Sequence, residues 1–248
     1  MGMALEQTEP SPMLAALVAA YPGVSVSSDE DGIVLADGTK VDLGSVRDAS
    51  PAERLSDGTL AEQFYYIYPL EFDLEQRAEP FVDPGRIRND AFFKAMYFSD
   101  ERQARSSLVK VDGPAGTKAE FWMTEKWGVA CQLEAAMNEI SLLDEDVRPF
   151  FSEIGGSFNW RRISGTSRLS AHSFGISIDI NAELGKYWKW TGAKEGNVGM
   201  YSNAVPEGIV KAMERYGFIW GGKWHHFDGM HFEYRPELIL FGRLVADP

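Results

Sequence analysis

Ser170-Ala171-His172-Ser173-Phe174-Gly175-Ile176-Ser177-Ile178-Asp179-Ile180-Asn181 is the stretch on which the reading of this chain turns. After Gly175 the pattern alternates with a period of two. Ile176, Ile178 and Ile180 fall on one face, and Ser177, Asp179 and Asn181 on the other, which is the signature of a β-strand with an apolar side. An aspartate in a β-branched strand is disfavoured by propensity, and wherever it is partly buried it needs a partner. A metal cation is one such partner. His172 lies just ahead of the strand, in a turn that Gly175 ends. Glycine lets the backbone fold back there, so His172 can reach over the face that carries Asp179.

Downstream, the chain runs Trp224-His225-His226-Phe227-Asp228-Gly229-Met230-His231-Phe232-Glu233-Tyr234-Arg235-Pro236. His231, Glu233 and Arg235 share one face of a second strand, and Phe232 and Tyr234 the other. If the two strands pair, His231 and Asp179 meet. Two histidines, one carboxylate and an open fourth position make the donor pattern of catalytic zinc. With nitrogen and oxygen donors and no thiolate, zinc fits best, while manganese and iron take similar sets. All four histidines of the chain lie in its last third, which strengthens the case for a metal.

A hydrolytic metal site also needs a base to take a proton from water and return it to the leaving amine. Asp228 precedes His231 by three residues across Gly229, so a turn can set its carboxylate beside the open position. Glu233 competes for that role, but its place on the His231 face equally suits a partner that orients the ligand. Arg161, Arg162 and Arg168 precede the first block, and any of the three can supply the cation that stabilises an oxyanion. In an extended segment at most one of His225 and His226 faces the site; both read as substrate contact or groove wall. Trp188, Trp190, Trp220 and Trp224 read as core or groove wall, and residues 183–199 as a loop flanking the cleft.

The bulk properties narrow the alternatives. The chain has 248 residues, 44% of them hydrophobic, and a formal net charge of -13. Such a chain can bury a sizeable core. The charge argues against nucleic acid and against polybasic docking on anionic lipid. No apolar run reaches the length of a membrane span. The run Met13–Ala20 is short, lacks a basic flank and reads as the first helix, so no export signal is visible. Cys131 is the one cysteine, so no intrachain disulfide forms, and its helical setting predicts a buried, inert thiol.

Elsewhere, residues 24–43 read as two or three short strands with tight turns; the aromatic run from Phe64 stops at Pro69, and the proline-punctuated stretch after it, to about Gly85, reads as a linker or wrapping segment. Helices are expected from Asn89 and from Asp100, strands over 107–123, and a long helix from Lys126 to Leu143. This organisation divides the chain into an N-terminal α+β extension, residues 1–85, and a catalytic domain, residues 86–248, whose motifs lie within 150–242.

At Ser170, His172, Gly175, Asp179, Asp228 and His231 the sequence resembles the D-alanyl-D-alanine carboxypeptidase family of zinc peptidases. That family also includes D-Ala-D-Ala dipeptidases and L-alanyl-D-glutamate endopeptidases. The resemblance covers roughly residues 150–240. It implies one zinc per chain on His172, Asp179 and His231, with Asp228 as base and Arg161 as the best match for the oxyanion arginine. It implies an α+β fold with a small central antiparallel sheet and flanking helices, shared with the Hedgehog signalling domain. Ser177 departs from the small apolar residue usual there. Ser170, Arg168, His226 and Trp224 are the expected substrate contacts, and Glu233 the residue behind the ligands.

The implied substrate is the peptide stem of bacterial peptidoglycan, which lies in the periplasm or outside the cell. A D-Ala-D-Ala carboxypeptidase is the first reading and an L-Ala-D-Glu or other murein endopeptidase the second. A non-catalytic cell-wall binding module that keeps zinc as structure is the reading from another class. Asp228 counts against it, because a structural site has no need of a base.

Overall fold

The computed structural model describes residues 10–163 and 168–246. The fold is α+β. Its first helix, α1 (Pro12–Ala20), starts where its sequence says it should: Pro12 opens the first turn and the Ser11 side chain accepts from the Leu14 N–H. Leu14, Ala16 and Leu17 are buried. Strands β1 (Ser25–Val26), β2 (Gly32–Val34) and β3 (Lys40–Asp42) form a small antiparallel meander. Helix α2 (Pro51–Ser56) begins at a full capping box, in which Ser50 and Glu53 satisfy each other's backbone N–H groups.

Helices α3 (Asp90–Met96) and α4 (Glu101–Ser106) are capped by the side chains of Asn89 and Asp100. The hairpin of β4 (Leu108–Asp112) and β5 (Glu120–Thr124) follows. The long helix is shorter than its pattern predicts. Trp127 and Gly128 both take left-handed backbone angles, so Lys126–Gly128 is a separate 3₁₀ turn and α5 runs Val129–Ile140. Its Leu133, Ala136, Met137 and Ile140 are buried, whereas Cys131 lies on the outer face and is exposed, contrary to the expected buried thiol.

The remaining elements build the sheet that carries both sequence motifs. They are β6 (Ile154–Gly156), β7 (Ser177–Asn181), α6 (Ala182–Gly185), α7 (Glu207–Arg215), β8 (Phe218–Trp220), β9 (His231–Tyr234) and α8 (Pro236–Ala246). The strands pair antiparallel in the order β6-β7-β9-β8. As the alternation predicts, Ile176, Ile178 and Ile180 are fully buried. The opposite face is more enclosed than a half-polar strand implies: Ser177, Asn181, Glu233 and Arg235 are buried too.

Residues 10–85 share the apolar core of residues 86–246; Leu14, Ile33, Phe64 and Tyr68 belong to one cluster with Ile178, Phe232 and Leu238. A boundary at residue 85 therefore separates no two cores. Polar ties reinforce the union. Tyr21 donates to Glu237 Oε2 at 2.7 Å, and Tyr68 donates to Glu214 Oε1 at 2.5 Å while accepting from the Trp220 N–H at 2.9 Å. Among the described residues, no helix is long and apolar enough to cross a membrane.

Candidate metal centre

The β7–β9 register sets Asp179 directly opposite His231, beside the pairs Ile178–Phe232 and Ser177–Glu233. His172 arrives from the other direction. It sits in a 3₁₀ turn, Ala171–Phe174, that ends at Gly175 with φ of 66°. A side chain at Gly175 would run into Leu108 and the Thr124 backbone, so glycine serves both the turn and the close approach to β5. His172, Asp179 and His231 each offer one ligand atom, and these atoms lie within 4.8 Å of one another.

The surroundings fix which atoms those are. His172 Nδ1 meets the Ser157 carbonyl, so it carries the proton and Nε2 is left to face Asp179 Oδ2 at 3.3 Å. His231 is turned the opposite way: Nδ1 lies 2.9 Å from Asp179 Oδ1, and Nε2 lies 3.3 Å from Glu233 Oε2. Glu233 is fully buried and is clamped by Arg88 through both oxygens, with Arg235 Nη1 at 3.3 Å from Oε1.

Charge follows this geometry. Burial works to raise the Glu233 carboxyl, but Arg88, His231 and Arg235 outweigh it and hold the group well below its ordinary range. Burial also opposes charge on Asp179, yet His172 and His231 hold its carboxyl far below the usual range. His231 is desolvated, but Asp179 and Glu233 raise it to about 10. Two imidazole nitrogens converging on one carboxylate, each ring oriented from behind, fit zinc by donor type and by the tautomers they impose.

Asp228 adjoins this cluster in the same cavity. The His231 N–H donates to the Asp228 carbonyl at 3.1 Å, closing a turn that sets the two residues side by side. The carboxyl is pushed up to about 6, mainly by burial, with the Asp179 charge adding to it and His231 opposing. Its Oδ1 is buried and accepts no hydrogen bond from the described residues.

All four residues line one cavity of about 350 Å³. Of the arginines, Arg161 lines this cavity, and Arg162 lines a neighbouring hollow instead. Arg168 lines it too and is buried; desolvation and the nearby Arg88 and Arg86 push its guanidinium down to about 10. Ser170 and Trp224 are in the wall, and Trp224 donates to the Pro84 carbonyl at 2.6 Å. His226 reaches the cavity, but its nitrogens are already engaged. Nδ1 lies 2.6 Å from Asp83 Oδ2, and Nε2 accepts from the Gly196 N–H at 3.0 Å. His225 turns away to the Arg77 carbonyl.

The sequence reading missed Arg86, Arg88, Asp83 and Lys189. Arg86, Arg88 and Lys189 line the cavity, and Asp83 anchors His226. The one local signal was Arg86-Ile87-Arg88, two arginines flanking an isoleucine just after a Pro-Gly pair. Trp190, expected as core or wall, is exposed, while Trp188, Trp220 and Trp224 are buried.

Residues 164–234 match a family model described as D-alanyl-D-alanine carboxypeptidase. The match spans under a third of the chain, contains His172, Asp179, Asp228 and His231, and supports the likeness seen in the motifs. No curated protein and no solved structure matches the chain.

Proposed function

We propose that this chain is a zinc-dependent peptidase acting on peptidoglycan stem peptides outside the cytoplasm, and first of all a D-Ala-D-Ala carboxypeptidase. The observation that carries the reading is Asp228 Oδ1, buried without a hydrogen-bond partner among the described residues, beside the His172, Asp179 and His231 donors in a single cavity. His172 Nε2, an Asp179 oxygen and His231 Nδ1 would hold the metal. Zinc, when bound, supplies Lewis acidity that makes water acidic enough to lose a proton near neutral pH. Asp228 would take a proton from the attacking water and return it to the departing amine. The Arg161 side chain lines the same cavity, where a cation stabilises the oxyanion of the attacked carbonyl. Arg86, Arg168 and Lys189 make the wall cationic in an acidic protein, which suits a substrate ending in a carboxylate.

One observation favours the endopeptidase reading. Beyond Arg161 lies a second hollow bounded by Lys94, Trp160 and Arg162, which offers room for chain on the far side of the scissile bond. Mass spectrometry of muropeptide digests separates the two. Loss of one terminal alanine supports the carboxypeptidase, and cleavage inside the stem the endopeptidase. If the zinc-loaded chain leaves every muropeptide intact, the peptidase reading fails and the binding module takes its place.

A further inference from the structure

The residues that hold the second motif in place come from far upstream. Val82 accepts from the His225 N–H at 2.9 Å. Asp83 takes the His226 N–H at 2.8 Å and its Nδ1 at 2.6 Å. The Pro84 carbonyl accepts from Trp224 Nε1, and the Gly85 carbonyl from Arg235 Nη1 at 3.0 Å. Consecutive residues 82–85 thus form a strap across 224–235. Gly85 is held at φ of 96° against Ile219 and Leu238, where a side chain would collide with both. The strap ends by delivering Arg88 to Glu233, 145 residues away in sequence.

We propose that Arg88 is a positioning residue of the metal centre. The inference rests on the metal-binding reading above. Arg88 donates through Nε to Glu233 Oε1 at 2.9 Å and through Nη2 to Oε2. A planar fork of this kind fixes a carboxylate in angle as well as distance. The fixed carboxylate engages His231 Nε2, so the ring presents Nδ1 to Asp179. Arg235 does not duplicate this clamp, because its Nε is committed to Glu237 at 2.6 Å and its Nη1 lies 3.3 Å from Glu233. The ligand orientation of a motif near the C-terminus is therefore set by a residue of the N-terminal half.

The test is zinc affinity of the full chain, with zinc ion itself as probe, by competition against a chromophoric chelator. Cobalt(II) absorption reads ligand geometry in parallel. Arg88→Met is expected to weaken zinc about 10–100-fold and to change the cobalt spectrum, as loss of a ligand's supporting partner does. Arg88→Lys keeps the charge without the fork, and is expected to recover part of the affinity; it carries the test if Arg88→Met does not fold. In a Glu233→Gln background, Arg88→Met should cost little more, because both act on one path. Wild-type affinity and spectrum in both Arg88 variants, or losses that add fully with Glu233→Gln, overturn the role of Arg88 alone. A wild-type chain that takes up no zinc overturns the metal reading beneath it.

Discussion

Asp179 and His231 form one register pair of the β7–β9 ladder, with Asp179 Oδ1 2.9 Å from His231 Nδ1. Strand register and the spacing of these two candidate metal donors are thus a single constraint. A slip of one residue would turn Asp179 to the isoleucine face and put Ile178 or Ile180 into the cavity. The three buried isoleucines oppose that slip, so the apolar pattern that builds the core also holds the donor set together.

Asp228→Asn should lower kcat by about 10²–10⁴-fold, the range for removing a general base, while zinc content stays at the wild-type level. The sign of the pH effect follows from the raised carboxyl. A base works ionised, and Asp228 is pushed up to about 6, so kcat/KM should fall as pH drops through about 6. The Asp228→Asn profile should lack that acidic limb. A wild-type profile flat from pH 5 to 8 would rule Asp228 out as the base.

Ser177→Ala should stabilise the protein by about 1 kcal/mol. Ser177 is fully buried and its Oγ has no hydrogen-bond partner among the described residues, so the hydroxyl gives up water for nothing in return. The urea midpoint reports the gain, and metal content should not change. A drop in the midpoint would mean that Oγ has a partner.

Gly229→Ala should cost about 1–3 kcal/mol, as overpacking does. A side chain there would meet the Gly185 carbonyl and the Tyr201 hydroxyl. Because Gly229 lies inside the turn joining Asp228 to His231, activity should fall by more than the stability loss explains. Thermal melting together with kcat/KM at a temperature where both proteins are folded separates the two effects.

Asp83→Asn tests the strap through pH. Burial alone would raise the Asp83 carboxyl, but Arg86 and His226 hold it below its ordinary value. A carboxyl depressed in the folded state contributes stability above its unfolded pKa of about 3.9 and loses it as pH falls through the folded value. The wild type should therefore melt well above Asp83→Asn at pH 7, and the gap should close as pH falls below about 4. A gap that persists unchanged at pH 2.5 would assign the loss to packing and not to the charge.

A chain beginning at residue 86 should not fold. It would leave Glu237 without Tyr21, Glu214 and the Trp220 N–H without Tyr68, and the apolar face of α8 without α1. Buried polar groups stripped of partners cost about 1–3 kcal/mol each, and several are lost together. Circular dichroism and proton NMR of the fragment check this; a dispersed spectrum would restore residues 1–85 as a separable extension.

The sequence by itself determined the candidate donors, the base candidate and the strand that carries them. His172, Gly175, Asp179, Asp228 and His231 were legible because period-two alternation, a turn glycine and a three-residue spacing are local consequences of backbone geometry. Tertiary structure decided the rest. It separated Arg161 from Arg162 at the cavity, filled both ring nitrogens of His226, turned Cys131 outward and brought Arg88 behind Glu233. A contact between residues 145 apart leaves no periodic trace in either segment. It exists only once a shared core has closed the intervening chain, and with it the strap that orients His231.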